Sequence, residues 1–260
     1  MTLSLARTAY TTRLATLLVL VLLIATANAQ QYRDADELMA AVNARPEPAT
    51  TEATLSMTIT TAGGQTLTRE LQMWAEGTDA RVMKFTAPAD IAGSGFLNLT
   101  HADGAEEKLV YLPALGRVRR IAGGQQGDAF FGSDFSYEDI TGIEPDDYTH
   151  ELIEVREGPT YVVAAVPLPG TGSVYERLVI SVPEATLVPV QVEYYQGGEL
   201  VKTLTVSGLT EVDGYTLALE RRMETLRGGQ VTSYTVIAQR DVKLDQELPT
   251  DLFTERFLRR

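Results

Sequence analysis

The chain has 260 residues, with 22 lysines and arginines against 35 acidic residues, a formal charge of −13. That balance excludes a nucleic-acid binder, which needs clustered cations to neutralise phosphate, and argues against permanent docking on anionic lipid. Cysteine is absent and the histidines are two, His101 and His150, so thiolate catalysis, cysteine-held zinc, iron–sulfur clusters, disulfides and a histidine-rich metal site are excluded.

Residues 1–29 read as a secretory signal peptide. Arg7 and Arg13 supply the positive start, and residues 14–25 form an uncharged apolar run. A span needs about 20 apolar residues, so this run is too short for an anchor. Ala27-Asn28-Ala29 supplies the small residues of a cleavage site, which predicts a cut after Ala29 and one domain over residues 30–260. An acidic start at Asp34, Asp36 and Glu37 precedes Leu38, Met39 and Val42 at helical spacing. That predicts a short helix, ended by Arg45-Pro46 and Pro48.

The period then changes to two. Leu55, Met57 and Ile59 alternate with Thr54, Ser56 and Thr58; Leu67, Leu71 and Met73 resume the pattern, with Arg69 in the same phase. Val82 and Phe85 lie in the next strand, at 81–85. Further strands are predicted at 95–100, 108–112, 117–121, 149–156, 161–166, 177–182, 190–195, 200–207, 215–225 and 231–242. Gly63-Gly64, Gly197-Gly198 and Gly228-Gly229 mark hairpin turns. Connections this short imply antiparallel pairing, and the alternation implies one buried and one wet face. Which face is inner stays open. A helix is expected over 249–260, capped by Thr250, with Phe253 and Phe257 on one side.

The least strand-like stretch is 122–147, which holds five glycines and the aromatics Phe130, Phe131, Phe135 and Tyr137. A long irregular segment in a β domain reads either as a functional lid or as a plug for the end of the sheet. Asp134 reads as a turn cap, and Glu138-Asp139 with Glu144, Asp146 and Asp147 as a solvated acidic loop. Arg117 and Arg119 fall on one face of their strand and Arg120 on the other; Arg119 or Arg120 suits a polar head group. Gly93-Ser94-Gly95 and Gly132-Ser133-Asp134 lack the nucleophile-elbow pattern, and Gly123-Gly124-Gln125-Gln126-Gly127 lacks the Lys and Ser/Thr of a P-loop. No cofactor or metal is expected, and pattern alone leads to a secreted β-rich binding protein.

Two stretches carry a resemblance. Tyr111-Leu112-Pro113-Ala114-Leu115-Gly116-Arg117-Val118-Arg119-Arg120-Ile121 and Phe131-Gly132-Ser133-Asp134-Phe135-Ser136-Tyr137-Glu138-Asp139 resemble the signature of bacterial outer-membrane lipoprotein-sorting proteins of the LolA-like group. Lys84-Phe85-Thr86-Ala87-Pro88, Gly93-Ser94-Gly95-Phe96-Leu97, Val192-Glu193-Tyr194-Tyr195, Gly198-Glu199-Leu200-Val201-Lys202 and Leu252-Phe253-Thr254 extend it over residues 34–260. The resemblance implies a mainly β fold with few helices: a half-open antiparallel β-barrel around an apolar cavity, closed by helices and a loop. It implies a periplasmic, non-enzymatic carrier or chaperone that shields acyl chains of lipoproteins or other lipids and moves them toward the outer membrane. Its partners would be an inner-membrane exporter of the resistance-nodulation-division type and an outer-membrane acceptor.

On that reading Leu55, Met57, Ile59, Leu71, Met73, Val82 and Phe85 are candidates for the cavity wall, and Phe130, Phe131, Phe135 and Tyr137 for its lid or rim. The rival readings are an accessory or sensor subunit acting by protein–protein contact, with a filled core, and an enzyme with a convergent polar site in the cavity.

Overall fold

Thirteen strands form where period-two alternation runs, one for each strand expected from the sequence. The computed structural model describes residues 31–260; the expected signal peptide lies outside them. Helix α1, Ala35–Asn43, begins at Asp34, whose carboxylate accepts from the Asp36 amide, and its apolar face buries Ala35, Leu38, Met39 and Val42. The first strand series is β1 (Thr50–Thr60), β2 (Thr66–Glu76), β3 (Ala80–Ala87), β4 (Gly95–Thr100), β5 (Glu106–Leu112) and β6 (Arg117–Arg120). The second is β7 (Tyr148–Arg156), β8 (Thr160–Pro167), β9 (Arg177–Pro183), β10 (Gln191–Gln196), β11 (Glu199–Val212), β12 (Tyr215–Arg227) and β13 (Gln230–Leu244).

All thirteen join one sheet in the order β6-β5-β4-β3-β2-β1-β13-β12-β11-β10-β9-β8-β7, antiparallel throughout. Hairpins make each series, and β1 against β13 welds the two together, with Met57 opposite Ile237. Gly197-Gly198 and Gly228-Gly229 take positive φ at both turn positions, the backbone that matches the twist of tight hairpins. The sheet is open. Its edges are β6, a short arginine-rich strand of the kind that discourages further pairing, and β7. Residues 121–147 join these two edges as a strap, which includes the short helix α2, Tyr137–Thr141.

Alternation fixes two faces. One carries the row Gln239, Leu55, Leu71, Phe85 and the row His150, Ala165, Leu178, Tyr194, Lys202, Thr225, Ser233. The strap packs on this face. Phe130 stands edge-on to Phe96 of β4 at 5.5 Å, while Asp134 accepts from Thr225 of β12 at 2.7 Å. Five sheet steps separate β4 from β12, about 24 Å on a flat sheet. More decisively, Arg119 of β6 bonds to Tyr137 and Lys202 of β11 to Asp139, two residues on. Eight sheet steps, about 38 Å if flat, separate these strands, whereas two chain steps cover at most about 7 Å. The sheet is therefore rolled around the strap, and this face is concave.

The opposite, convex face holds Val82, Leu97 and Leu109 under Leu252 and Leu258 of the C-terminal segment, with Trp74 edge-on to Phe257 at 5.6 Å. Here the predicted helix is shorter than expected: α3 spans Glu255–Leu258, capped by Thr254 and not by Thr250. A continuous helix would place Leu252 and Leu258 about 120° apart, and both must reach one apolar cluster. Gly95 makes room for this segment, since a Cβ there would lie 2.8 Å from Leu258 Cδ1 and 2.9 Å from the Met83 carbonyl.

Candidate functional site: the concave face and its strap

The concave face is rich in methionine. Met57, Met73, Met83 and Met223 all point inward by register, and Met39 sits on the buried side of α1. These are all the methionines among the described residues. Thioether side chains are unbranched and flexible, so a surface lined with them repacks around irregular apolar shapes.

Above them lies the strap, closed on itself by the Phe130 amide donating to the Phe135 carbonyl at 2.7 Å and by a bridge between Ala129 and Ser136. Phe131 adopts φ 48°, a left-handed conformation costly for a residue with a Cβ. Its ring lies 4.5 Å from Phe85, and Arg69 donates to its carbonyl. Phe130, Phe96 and Tyr137 stack at 5.5–5.6 Å.

Polar anchors hold the strap down. The Asp134 carboxylate accepts from the hydroxyls of Thr225, Ser233 and Thr235, and its amide donates to Thr235 Oγ1 at 3.0 Å. Asp139 accepts from Lys202 at 2.7 Å and Tyr175 at 2.8 Å, and Glu138 accepts from the Val174 amide at 3.0 Å. Arg81 donates to the Ile140 carbonyl at 2.6 Å. Burial, with the Asp139 charge beside it, pushes the Tyr175 phenol well above its ordinary value. Thus Asp134 ties strap to sheet and caps no turn, and the pair Glu138-Asp139 is an internal anchor where solvated acid was expected. Carboxylates placed against hydroxyls, an ammonium and amides satisfy each other without water.

The expected site residues divide accordingly. Leu55, Met57, Ile59, Leu71, Met73 and Phe85 share the concave face. Val82 does not: three positions from Phe85, it points to the convex side and packs under the C-terminal segment, as strand alternation requires. Phe130, Phe135 and Tyr137 are buried and Phe131 is partly so, so the aromatics fill the hollow of the sheet. Arg119 points inward and bonds to Tyr137, whose own pKa burial raises. Arg120 pairs with Glu107 and is exposed.

Two features escaped the sequence reading. Arg81 and Arg221 occupy concave positions, in phase with Met83 and Met223, and an arginine in the phase of buried residues was the available signal. Burial lowers the Arg81 pKa, opposed by Glu47 and Glu144. Burial and then the charge of Arg81 lower that of Arg221 to about 10. Beside Arg81 in the register, Asn98 is buried with no partner for Oδ1.

Two open clefts flank the structure. One, of about 590 Å³, lies between residues 89–92 and 112–115, with Leu115 exposed at its rim. The other, of about 440 Å³, is bounded by Gly127, Val174, Tyr175, Lys202, Thr225 and Leu226 and touches the strap anchors. No group of three or more metal-ligating side chains occurs among the described residues.

A family model described as "Uncharacterized protein" matches residues 77–260, from the β2–β3 turn through the strap to the end of the chain. The chain belongs to that family. Among solved structures it is similar to a DUF1329 family protein from Desulfovibrio piger, at 28% identity and TM-score 0.78 over 85% of this chain and 96% of that one. It is equally similar to a protein from Vibrio parahaemolyticus described as an outer membrane lipoprotein-sorting protein domain, at 29% identity and TM-score 0.78 over 87% and 98% of the two chains. A LolA superfamily protein from Nitrosomonas europaea, 18% identical over 87% and 100% with TM-score 0.69, shares the fold. No curated protein matches. The fold of these structures is thus that of this chain, mainly β, with an open antiparallel sheet.

Proposed function

We propose that the protein is a periplasmic carrier that receives acyl chains of lipoproteins or other lipids against its concave face and delivers them toward the outer membrane. The methionine lining of that face, Met57, Met73, Met83 and Met223 beneath a strap fixed by polar anchors, is the observation that supports this reading best. In this reading the apolar cavity opens on loading. The aromatics of the strap occupy the hollow in the free protein and yield it to the chain, so apolar surface is exchanged for apolar surface. Each acyl methylene left in water costs about 0.8 kcal/mol, so an amphiphile crosses an aqueous space only when shielded. The likeness to a lipoprotein-sorting domain supports the same reading and the periplasmic location.

The test is uptake of a neutral apolar fluorophore, N-phenyl-1-naphthylamine, by delipidated protein, paired with organic extraction of protein purified from its own envelope. Saturable uptake displaced by the extracted lipid is the expected result. An empty protein that takes up no probe removes the carrier reading.

The second reading, an accessory or sensor subunit of an envelope exporter, is favoured by the open cleft of residues 89–92 and 112–115, where Leu115 stands 57% exposed. It predicts that Leu115→Glu abolishes partner capture and leaves probe uptake unchanged.

A further inference from the structure

Some inward-pointing cations of this acidic chain have an ion-pair partner, and Arg69 donates to the strap carbonyl of Phe131. Lys202 is paired with Asp139 at 2.7 Å and Lys108 with Glu106 at 2.7 Å. Arg81 and Arg221 differ. They stand on β3 and β12, on opposite walls of the rolled sheet, both on its concave face. Each makes one hydrogen bond, to a backbone carbonyl: Arg81 to Ile140 at 2.6 Å, Arg221 to Ala218 at 3.4 Å. Neither has an ion-pair partner among the described residues; Glu47 and Glu144 act on Arg81 only from farther away. A guanidinium offers five N–H donors in a planar fork suited to carboxylate and phosphate, so donors remain for a ligand, those of Arg81 inside the sheet and those of Arg221 where they meet solvent. The two charges are close enough to disfavour each other, a repulsion that an anion between them would reverse. Arg221 also keeps an exposed side chain, so an incoming ligand can reach it.

Asn98 supplies an independent sign of a ligand. It pairs with Arg81 across β3 and β4, its side chain is buried on the same face, and its Oδ1 has no hydrogen-bond partner. An acceptor left bare in a protein interior is costly; it cannot hold the anion itself, and it suits a hydroxyl carried beside the anion, such as the glycerol hydroxyl of a lysophosphatidate.

We propose that Arg81 and Arg221, with Asn98 beside them, form the head-group end of the concave site and select amphiphiles with a carboxylate or phosphate head over neutral ones of the same chain. The assignment rests on the carrier reading above and adds the class of cargo. Bidentate contact from one or both guanidinia would hold the anion, while the acyl chain runs along the methionines.

The experiment is displacement of N-phenyl-1-naphthylamine from the delipidated protein by matched pairs: oleate against oleyl alcohol, and oleoyl lysophosphatidate against monooleoylglycerol. Both anionic members should displace the probe at concentrations at least tenfold lower than their neutral counterparts. Arg221→Gln should reduce that ratio below threefold, and Arg221→Lys should restore part of it. Far-UV circular dichroism checks that the variants are folded, and Arg81→Gln serves as the second arm. Equal displacement by charged and neutral members in the wild type, or a preference intact in both folded Gln variants, overturns the head-group assignment and leaves the carrier standing. Inorganic phosphate that blocks oleate at equal concentration would make this a site for a free anion and overturn the amphiphile. Failure of every amphiphile and of the probe itself would bring down the carrier reading and this assignment together.

Discussion

Arg221 is charged in a place that disfavours charge. Its pKa falls to about 10 from the ordinary 12.5, by burial first and Arg81 second. A base with a folded-state pKa below its unfolded value destabilises the fold wherever it is charged in both states. That holds at all pH values below about 9, and the penalty fades only as pH rises through 10. Because the side chain keeps solvent contact, solvent screening limits the effect to about 1 kcal/mol. Arg221→Met should therefore raise the stability of the ligand-free protein by about 1 kcal/mol, equally at pH 6, 7.5 and 9, in urea titrations. No gain, or a gain that varies over that range, would contradict the account. Retaining a destabilising residue is expected at a functional site. Asp134 behaves in the opposite way. Asp134→Ala strands the hydroxyls of Thr225, Ser233 and Thr235 and should cost about 2–4 kcal/mol, read from the same titrations. A loss below 0.5 kcal/mol would mean that the anchor carries no weight. The anchor was not legible beforehand: a lone Asp in a Gly-Ser-Asp stretch reads as a turn residue, because its partners lie about ninety to a hundred positions away.

The strap is the element on which function turns. It joins the two edges of the sheet and is held by contacts that can be released one by one, an arrangement suited to local opening below the global unfolding energy. The absence of cysteine makes a clean lock available. A double variant, Asp134→Cys with Ser233→Cys, replaces side chains that touch. Oxidised, it should take up N-phenyl-1-naphthylamine at least tenfold less than when reduced; equal uptake in both states would place binding outside the strap. The sequence marked this segment as irregular and aromatic, which was enough to single it out. Whether it was a free lid or a plug depends on the long-range anchors, and alternation has no access to those. The C-terminal helix was overextended for a related reason. Phe253 and Phe257 have helical spacing, but the convex cluster draws in Leu252 and Leu258 as well, and no single helix presents all four to one surface.

At the scale of the molecule, the sequence yielded all thirteen strands and their antiparallel sense, since period-two runs separated by glycine turns allow little else. It did not yield the inner face. Leu55 and its row could have faced either way until Phe130 and Phe131 of the strap were seen to pack against Phe85 of that row. Val82 was grouped with Phe85 although odd spacing in one strand separates faces. The two faces should respond differently. Val82→Ala should cost about 2 kcal/mol of stability with probe uptake unchanged, whereas Met73→Gln should reduce uptake severalfold at a smaller loss of stability. The reverse pattern would exchange the roles assigned to the faces.

The central claim is that an acyl chain lies on the concave face beneath the strap. A fatty acid carrying a terminal diazirine, photolysed in the protein and mapped by peptide mass spectrometry, tests it most directly. The account predicts adducts on β1, β2, β3 and β12, at or beside Met57, Met73, Met83 and Met223, suppressed in the oxidised strap-locked variant. Adducts confined to the open cleft of residues 89–92 and 112–115 would contradict it.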